Sequence, residues 1–262
     1  MNDKEVKKQL SEAKKYRNNG DFAESLAILH QINNEYPENV TYRYLLASTY
    51  YESMNTDAAQ RYTQEAIALD SNFKQNYELL GDIYSKEGNL EKARENYEKA
   101  YQLDSQYLTV GEKLIQLYLK IKHYEGVVEV CNHMMSYIHV DPSTAKSRAL
   151  TSIYLGCLLY KSWAQVYLKQ YDNGIETIEA MKALENELKL PSYKHRFKNE
   201  DEALFKMYFK LTIPKKTEEY INILKSEYSY NEETIKKLEE EAQQDIILFR
   251  QRPEVMGYLG LN

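Results

Sequence analysis

Apolar residues in the first half of the chain recur with the spacing of an α-helix. Within residues 74–107 they follow the i, i+3, i+4, i+7 pattern of one helical face, at Tyr77, Leu80, Gly81 and Tyr84. Gly88 and Asn89 then interrupt the pattern, as expected where the chain reverses direction. A second face of the same kind follows at Leu90, Ala93, Tyr97 and Ala100. The pattern therefore predicts two helices joined by a tight turn.

The same pattern returns every 34 residues. One position of this period is always tyrosine, at Tyr16, Tyr50, Tyr84 and Tyr118. The position three residues earlier holds Ala13, Ala47, Gly81 and Ile115, and the position nine residues later holds Ser25, Ala59, Ala93 and Val127. Small residues recur where two helices must approach closely. We therefore predict that the first half of the chain is a row of helical hairpins.

This period and these residues resemble the tetratricopeptide repeat (TPR) family. The third unit matches the family pattern at Leu80, Gly81, Tyr84, Gly88, Leu90, Ala93, Tyr97 and Ala100. The resemblance implies an all-α fold, in which helical hairpins stack into a right-handed α–α superhelix, the TPR solenoid. We place four tandem repeats in residues 1–141, at about 6–39, 40–73, 74–107 and 108–141.

Residues 142–262 keep a helical pattern without the strict period, so we expect an irregular helical C-terminal part. Asp141 followed by Pro142 predicts the start of a helix that runs to about Lys169. The residues that follow it resemble a degenerate fifth repeat, with key positions at Tyr171, Gly174, Ile178 and Met181.

Further helices are predicted along residues 203–211 and from Pro214 onward. A last helix over residues 231–249 begins at an Asn231 cap and carries one apolar stripe, at Ile235, Leu238, Ala242, Ile246 and Phe249. The final unit of a solenoid otherwise exposes its core, so we expect these helices to act as a cap.

Composition and charge narrow the class of protein. The chain of 262 residues is 43% hydrophobic and 28% charged, with a net charge of −6 that disfavours nucleic acid as a partner. Its longest apolar stretch, residues 149–160, is too short to span a bilayer. The first ten residues contain no apolar run, and two cysteines form no disulfide framework. We expect a cytoplasmic protein that is not bound to a membrane; its oligomeric state stays open.

Candidate chemistry is sparse. The sequence contains no phosphate-binding loop, dinucleotide-binding glycine motif, zinc-protease motif or nucleophile elbow. Five histidines are scattered, and His133 and His139, six residues apart, do not share a helical face. Cys131 and Cys157 are predicted to be small buried apolar residues rather than a redox pair. We therefore predict no cofactor, no metal and no enzymatic activity.

The resemblance to TPR proteins also implies a binding surface, because the first helix of each repeat lines a concave groove in that family. The positions that would face the groove are Lys14, Arg17, Tyr44, Ser48, Tyr51, Glu78, Asp82, Glu112 and Gln116. The groove would be basic at its N-terminal end, aromatic next and then acidic. Acidic residues disfavour the family's clamp for a C-terminal carboxylate.

The hypothesis is therefore a non-enzymatic scaffold that binds a peptide or protein segment in this groove. Two alternatives remain open at this point. One is a regulatory sensor that changes shape when it binds a small peptide or a partner domain. The other is an enzyme whose site lies in the C-terminal helices, since helical active sites need no sequence motif.

Overall fold

The computed structural model describes residues 2–140, 143–188 and 214–240, and these residues contain α-helices and no β-strand. The helices are α1 (Asp3–Asn19), α2 (Phe22–Glu35), α3 (Val40–Glu52), α4 (Thr56–Leu69), α5 (Lys74–Lys86), α6 (Leu90–Leu103), α7 (Leu108–Lys120), α8 (Tyr124–Tyr137), α9 (Ala145–Tyr167), α10 (Tyr171–Leu188) and α11 (Pro214–Tyr228). Residues 232–240 are also helical. The all-α solenoid class predicted from the sequence is confirmed. None of the described helices is long and apolar enough to cross a membrane.

The turns inside the hairpins share one backbone conformation. Gly20 and Gly88 have φ angles of 86° and 79°, in the left-handed region that glycine tolerates best. Met54 and Lys122 occupy the same position of the 34-residue period and also have positive φ, 66° and 61°. The turn between paired helices therefore requires a left-handed residue in all four hairpins, even where the sequence offers no glycine.

Chain contacts divide the protein into two compact units, Met1–His123 and Tyr124–Asn262. In the first unit each helix packs on the next one along the chain, from α1 to α7. The position three residues before the recurring tyrosine lies at these contacts. Its residues Ala13, Ala47 and Ile115 are at most 2% exposed. A Cβ atom placed on Gly81 would lie 2.4 Å from the ring of Tyr97. The predicted close approach of the two helices of one hairpin is therefore confirmed.

The second unit has its own apolar core. Helix α9 packs against α8 and α10. The buried core residues are Leu155, Leu158, Leu159, Ile178, Met181, Tyr220, Leu224, Ile235 and Leu238. Ile235 and Leu238 are the first two residues of the predicted C-terminal stripe, and Asn231 caps their helix by accepting a hydrogen bond from the backbone N–H of Thr234 at 2.8 Å. The rest of the stripe, Ala242, Ile246 and Phe249, lies outside the described residues.

One helix start differs from the sequence expectation. Helix α9 begins at Ala145 and not at Pro142, because Thr144 has extended backbone angles and its side chain caps the helix by accepting from the N–H of Ser147 at 3.1 Å. Both Thr and Asp are favourable N-cap residues, and the local sequence did not show which of the two starts the helix. The helix predicted over residues 203–211 lies outside the described residues. The division of the chain after residue 141 stays a prediction.

Candidate functional site

The nine predicted site residues lie on the first helices of the four hairpins, within the unit Met1–His123. Helix α1 carries Lys14 and Arg17, α3 carries Tyr44, Ser48 and Tyr51, α5 carries Glu78 and Asp82, and α7 carries Glu112 and Gln116. We call this set the first-helix surface. Lys14, Glu112 and Gln116 are exposed, whereas Ser48 and Glu78 are buried and the other four are half-buried.

The basic end of the first-helix surface is partly neutralised. The Arg17 guanidinium donates to Glu52 from two nitrogens, at 2.7 and 2.8 Å, and to Ser48 Oγ at 3.2 Å. These hydrogen bonds join α1 to α3, so the charge of Arg17 is already paired with a carboxylate of the same chain. Lys14 is exposed and forms no ion pair among the described residues. The positive character predicted for this end therefore rests on Lys14.

The aromatic residues sit between successive first helices. The rings of Tyr44 and Phe73 have centroids 5.6 Å apart. The Tyr51 hydroxyl donates to the backbone carbonyl of Asp82 at 3.5 Å, and the Lys86 ammonium lies 5.1 Å from the centroid of the Tyr51 ring. Burial raises the pKa of Tyr44 and Tyr51, and nearby carboxylates raise it further, so both phenols stay neutral at physiological pH.

The acidic residues of the first-helix surface share one internal cation. Lys113 Nζ, from α7, lies 2.7 Å from Glu78 Oε1 and 2.7 Å from Asp82 Oδ2. Two phenols complete the cluster: the Tyr97 hydroxyl donates to Asp82 Oδ1 at 2.7 Å, and the Tyr107 hydroxyl donates to Glu78. The two carboxylates and the ammonium carry a net charge of −1, so this region is less acidic than the sequence pattern suggested.

The protonation states in this cluster follow from its contacts. Burial lowers the pKa of the Lys113 ammonium, but the hydrogen bonds to Asp82 and Glu78 outweigh burial and raise that pKa above its ordinary value. Burial and the adjacent carboxylates also raise the pKa of Tyr97 and Tyr107 strongly. Both phenols are therefore hydrogen-bond donors, and the Lys113 ammonium stays charged across the physiological range. Stability due to Lys113 is lost only when the pH rises above about 10.

Replacing Lys113 with methionine should lower the free energy of unfolding by about 1–3 kcal/mol. Two carboxylates would lose their counterion, and the figure is below that of a fully buried pair because Lys113 and Asp82 keep some solvent contact. Urea denaturation at pH 7 measures the loss. The matched control is Lys120→Met on the exposed side of the same helix. A loss as small for Lys113→Met as for the control would contradict the prediction.

Lys113 was missed as a site residue by sequence reasoning, although the sequence carries a signal for it. In the 34-residue register its position holds Leu45 and Leu79 in the two preceding repeats. A lysine at a position that holds leucine in the second and third repeats indicates a change of role. Tyr107 carries no such signal, since Phe73 occupies its position one repeat earlier. Tyr97 does differ from its equivalents in the other repeats, which are Leu29, Thr63 and Cys131.

Residues at the same positions of the 34-residue period contact each other in successive repeats, but the type of contact changes from one repeat to the next. The Arg17–Glu52 ion pair of the first two repeats becomes, 34 residues later, the cation–π contact of Lys86 with Tyr51. The Tyr44–Phe73 ring contact becomes the hydrogen bond between Tyr107 and Glu78. The repeated backbone places the same pairs of positions next to each other, and the residue types at those positions determine which contact forms.

Other reactive groups lie away from this surface. Among the described residues, no group of three or more histidine, cysteine, aspartate or glutamate side chains is placed to hold a metal ion. Cys131 and Cys157 are both buried free thiols. A hydrogen bond between them and burial raise the pKa of the Cys131 thiol, which keeps it in the protonated, unreactive form.

Paired helices that stack in register through their first helices define a helical-repeat protein of the TPR type. The sequence pattern of the family described as the Tetratricopeptide repeat protein 21 C-terminal ARM domain matches residues 6–148, more than half of the chain. The chain belongs to this family. Repeat folds of this type support protein–protein interaction, since stacked repeats present an extended surface.

Known relatives agree with this assignment. Tetratricopeptide repeat protein 21B of the mouse is 33% identical over 103 residues, and the match covers 39% of this chain and 8% of the mouse protein. Among solved structures, a chain of Naa15/Naa10 bound to HypK-THB superposes with a TM-score of 0.62 at 15% identity, over 93% of this chain and 34% of that one. PilF of Pseudomonas aeruginosa gives 0.55 at 15% identity, over 91% and 98%. At these identities the likeness concerns the fold alone.

Proposed function

We propose that the first-helix surface binds a peptide or protein segment and that the protein acts as a non-enzymatic scaffold. The observation that carries the proposal is the placement of Tyr44 and Tyr51. Both rings are half-buried on α3, and their spacing of seven residues places them on the same face of that helix. Rigid aromatic rings that are partly solvent-exposed offer a large contact area at low entropic cost.

Charge along the surface would set the orientation of the segment. Lys14 attracts acidic residues at the N-terminal end, whereas the Glu78–Asp82–Lys113 cluster, with a net charge of −1, favours basic residues weakly. Complementary charges at exposed positions mainly fix orientation and speed association. Moderate salt should therefore weaken binding without abolishing it.

We also propose a division of the chain into repeats, a cellular compartment and a class of partner. Residues 1–141 would form four repeats, and residues 142–262 a degenerate fifth repeat with capping helices. Two buried free thiols are consistent with a reducing compartment, so we place the protein in the cytoplasm. The net charge of −6 favours protein over nucleic acid as the partner.

The double variant Tyr44→Ala/Tyr51→Ala should lose at least about 2 kcal/mol of binding free energy, the scale of an interface hot spot. The partner is first recovered by pull-down from a lysate of the source organism, and isothermal titration then compares the variant with the wild-type chain. Tyr42→Ala is the matched control: it removes the same side chain from the same helix, outside the first-helix surface.

Circular dichroism should show that the double variant stays folded, because neither tyrosine belongs to the buried columns of the repeat. Wild-type affinity in a folded double variant would refute binding at the first-helix surface. It would move the site to the second helices of the hairpins or to the C-terminal part.

A further inference from the structure

A cavity of about 310 Å³ lies between α1 and α2 of the first repeat and α3 of the second. Its lining residues are Leu10, Ala13, Lys14, Arg17, Asn18, Ser25, Leu29, Leu45 and Thr49. The floor is formed by buried residues such as Ala13 and Leu29, and the mouth by the exposed Lys14 and Asn18. An apolar cavity with a few polar groups at defined places has the composition of a ligand subsite.

Ser25 is the unusual residue of this cavity. Its side chain is 0% exposed, and its Oγ has no hydrogen-bond partner. A buried hydroxyl without a partner destabilises a fold. The same position of the other three repeats holds an apolar residue, at Ala59, Ala93 and Val127. The repeat geometry therefore does not require a serine here, and its hydroxyl is left unpaired in the lining of the cavity.

The third repeat shows how the corresponding region is filled elsewhere in the chain. There the Tyr97 ring packs directly against Gly81, and its hydroxyl donates to Asp82 Oδ1 at 2.7 Å. In the 34-residue register the equivalents in the first repeat are Leu29, Ala13 and Lys14. The first repeat thus has a smaller side chain in place of the ring, and a cation in place of the carboxylate. Because Ala13 adds the Cβ atom that Gly81 lacks, a ring that enters the cavity lies beside the position of the Tyr97 ring and not on it.

We propose that this cavity receives a tyrosine side chain of the bound segment, with an acidic residue of the segment next to it. The aromatic ring occupies the apolar floor, the phenol hydroxyl pairs with Ser25 Oγ, and the carboxylate pairs with Lys14. Arg17, the other cation of the lining, is already committed to Glu52. The inference rests on the proposed function and names the chemistry of its ligand: a tyrosine within an acidic sequence.

Capped pentapeptides test the proposal directly. The probes are Gly-Asp-Tyr-Asp-Gly, its phenylalanine analogue and its Asn-Tyr-Asn analogue, each titrated into the ¹⁵N-labelled full chain and followed by amide chemical shifts. The tyrosine peptide should bind about fivefold tighter than the phenylalanine peptide, because one neutral hydrogen bond is lost. It should also bind severalfold tighter than the Asn-Tyr-Asn peptide, since that analogue lacks the charges for Lys14.

The repeats themselves supply matched variants. Ser25→Ala reproduces the residue of the second and third repeats, and Lys14→Gln reproduces Gln116 of the fourth. In Ser25→Ala the tyrosine and phenylalanine peptides should bind equally, while the melting temperature stays the same or rises because an unpaired buried hydroxyl has been removed. In Lys14→Gln the preference for the Asp-Tyr-Asp peptide over the Asn-Tyr-Asn peptide should disappear.

The possible contrary results distinguish failure of the tyrosine subsite from failure of the proposed function. An unchanged preference for tyrosine in Ser25→Ala, or no shift of cavity amides at millimolar peptide, would overturn the tyrosine subsite. The proposed function would still stand if Tyr44→Ala/Tyr51→Ala weakens binding of the partner recovered by pull-down. Conversely, a Ser25-dependent tyrosine preference together with wild-type partner affinity in that double variant would overturn binding along the first-helix surface and leave the cavity as a site of its own.

Discussion

Replacing Gly81 with leucine should lower the free energy of unfolding by about 2–3 kcal/mol, because the site is already closed to a single added carbon. A Cβ atom at this position would lie 2.4 Å from two atoms of the Tyr97 ring. That ring is 4% exposed, and its hydroxyl is held by Asp82, so it cannot swing away without losing a buried hydrogen bond. Overpacking of a well-packed core typically costs 1–3 kcal/mol.

Thermal melts followed by circular dichroism check this prediction, and two variants sharpen it. Gly156→Ala is the matched glycine control, since a Cβ atom there meets nothing closer than 4.0 Å. The double variant Gly81→Ala/Tyr97→Leu recreates the Ala13–Leu29 pair of the first repeat and should be more stable than Gly81→Ala alone. If Gly81→Leu melts like the wild-type chain, the assigned approach of α5 and α6 is wrong.

Removing the apolar contacts of Ile235 and Leu238 should destabilise the second unit by about 4 kcal/mol or more. The two side chains are 3% and 7% exposed and belong to the core of this unit, and truncating a buried Ile or Leu to Ala costs about 2–5 kcal/mol. A chain that ends at residue 229 lacks both, which would expose apolar partners such as Leu224. We expect that truncated chain to aggregate.

The double variant Ile235→Ala/Leu238→Ala isolates the effect in the full-length chain. Trp163 is the single tryptophan and packs against this core, so its fluorescence during urea denaturation reports the loss of stability. Lys236→Ala/Lys237→Ala is the control, because it changes two exposed residues of the same helical stretch. A monomeric truncated chain that unfolds as cooperatively as the full protein would show that residues beyond 229 are dispensable.

The candidate site was only partly predictable. The nine residues were chosen because the family resemblance assigns groove-facing positions to the first helix of each 34-residue repeat, and they do lie on α1, α3, α5 and α7. Their pairing was not predicted. Arg17 is bound to Glu52, and Lys113 neutralises one of the two charges of Glu78 and Asp82. Both contacts depend on how far one hairpin is offset against the next, which a register of positions does not contain.

The sequence by itself determined the period, the helical faces and the turns, because these depend on residues within one or two helical turns of each other. Gly20 and Gly88 follow their helices where the helical pattern stops. Ala47 is buried, as the recurring small residue three positions before the tyrosine predicts. Only the tertiary structure decided that the Tyr97 ring packs over Gly81 in the third repeat, whereas the first repeat leaves a cavity beside Ser25. That difference arises from the volumes of side chains on three separate helices, and volumes become complementary or unfilled only after the helices have packed.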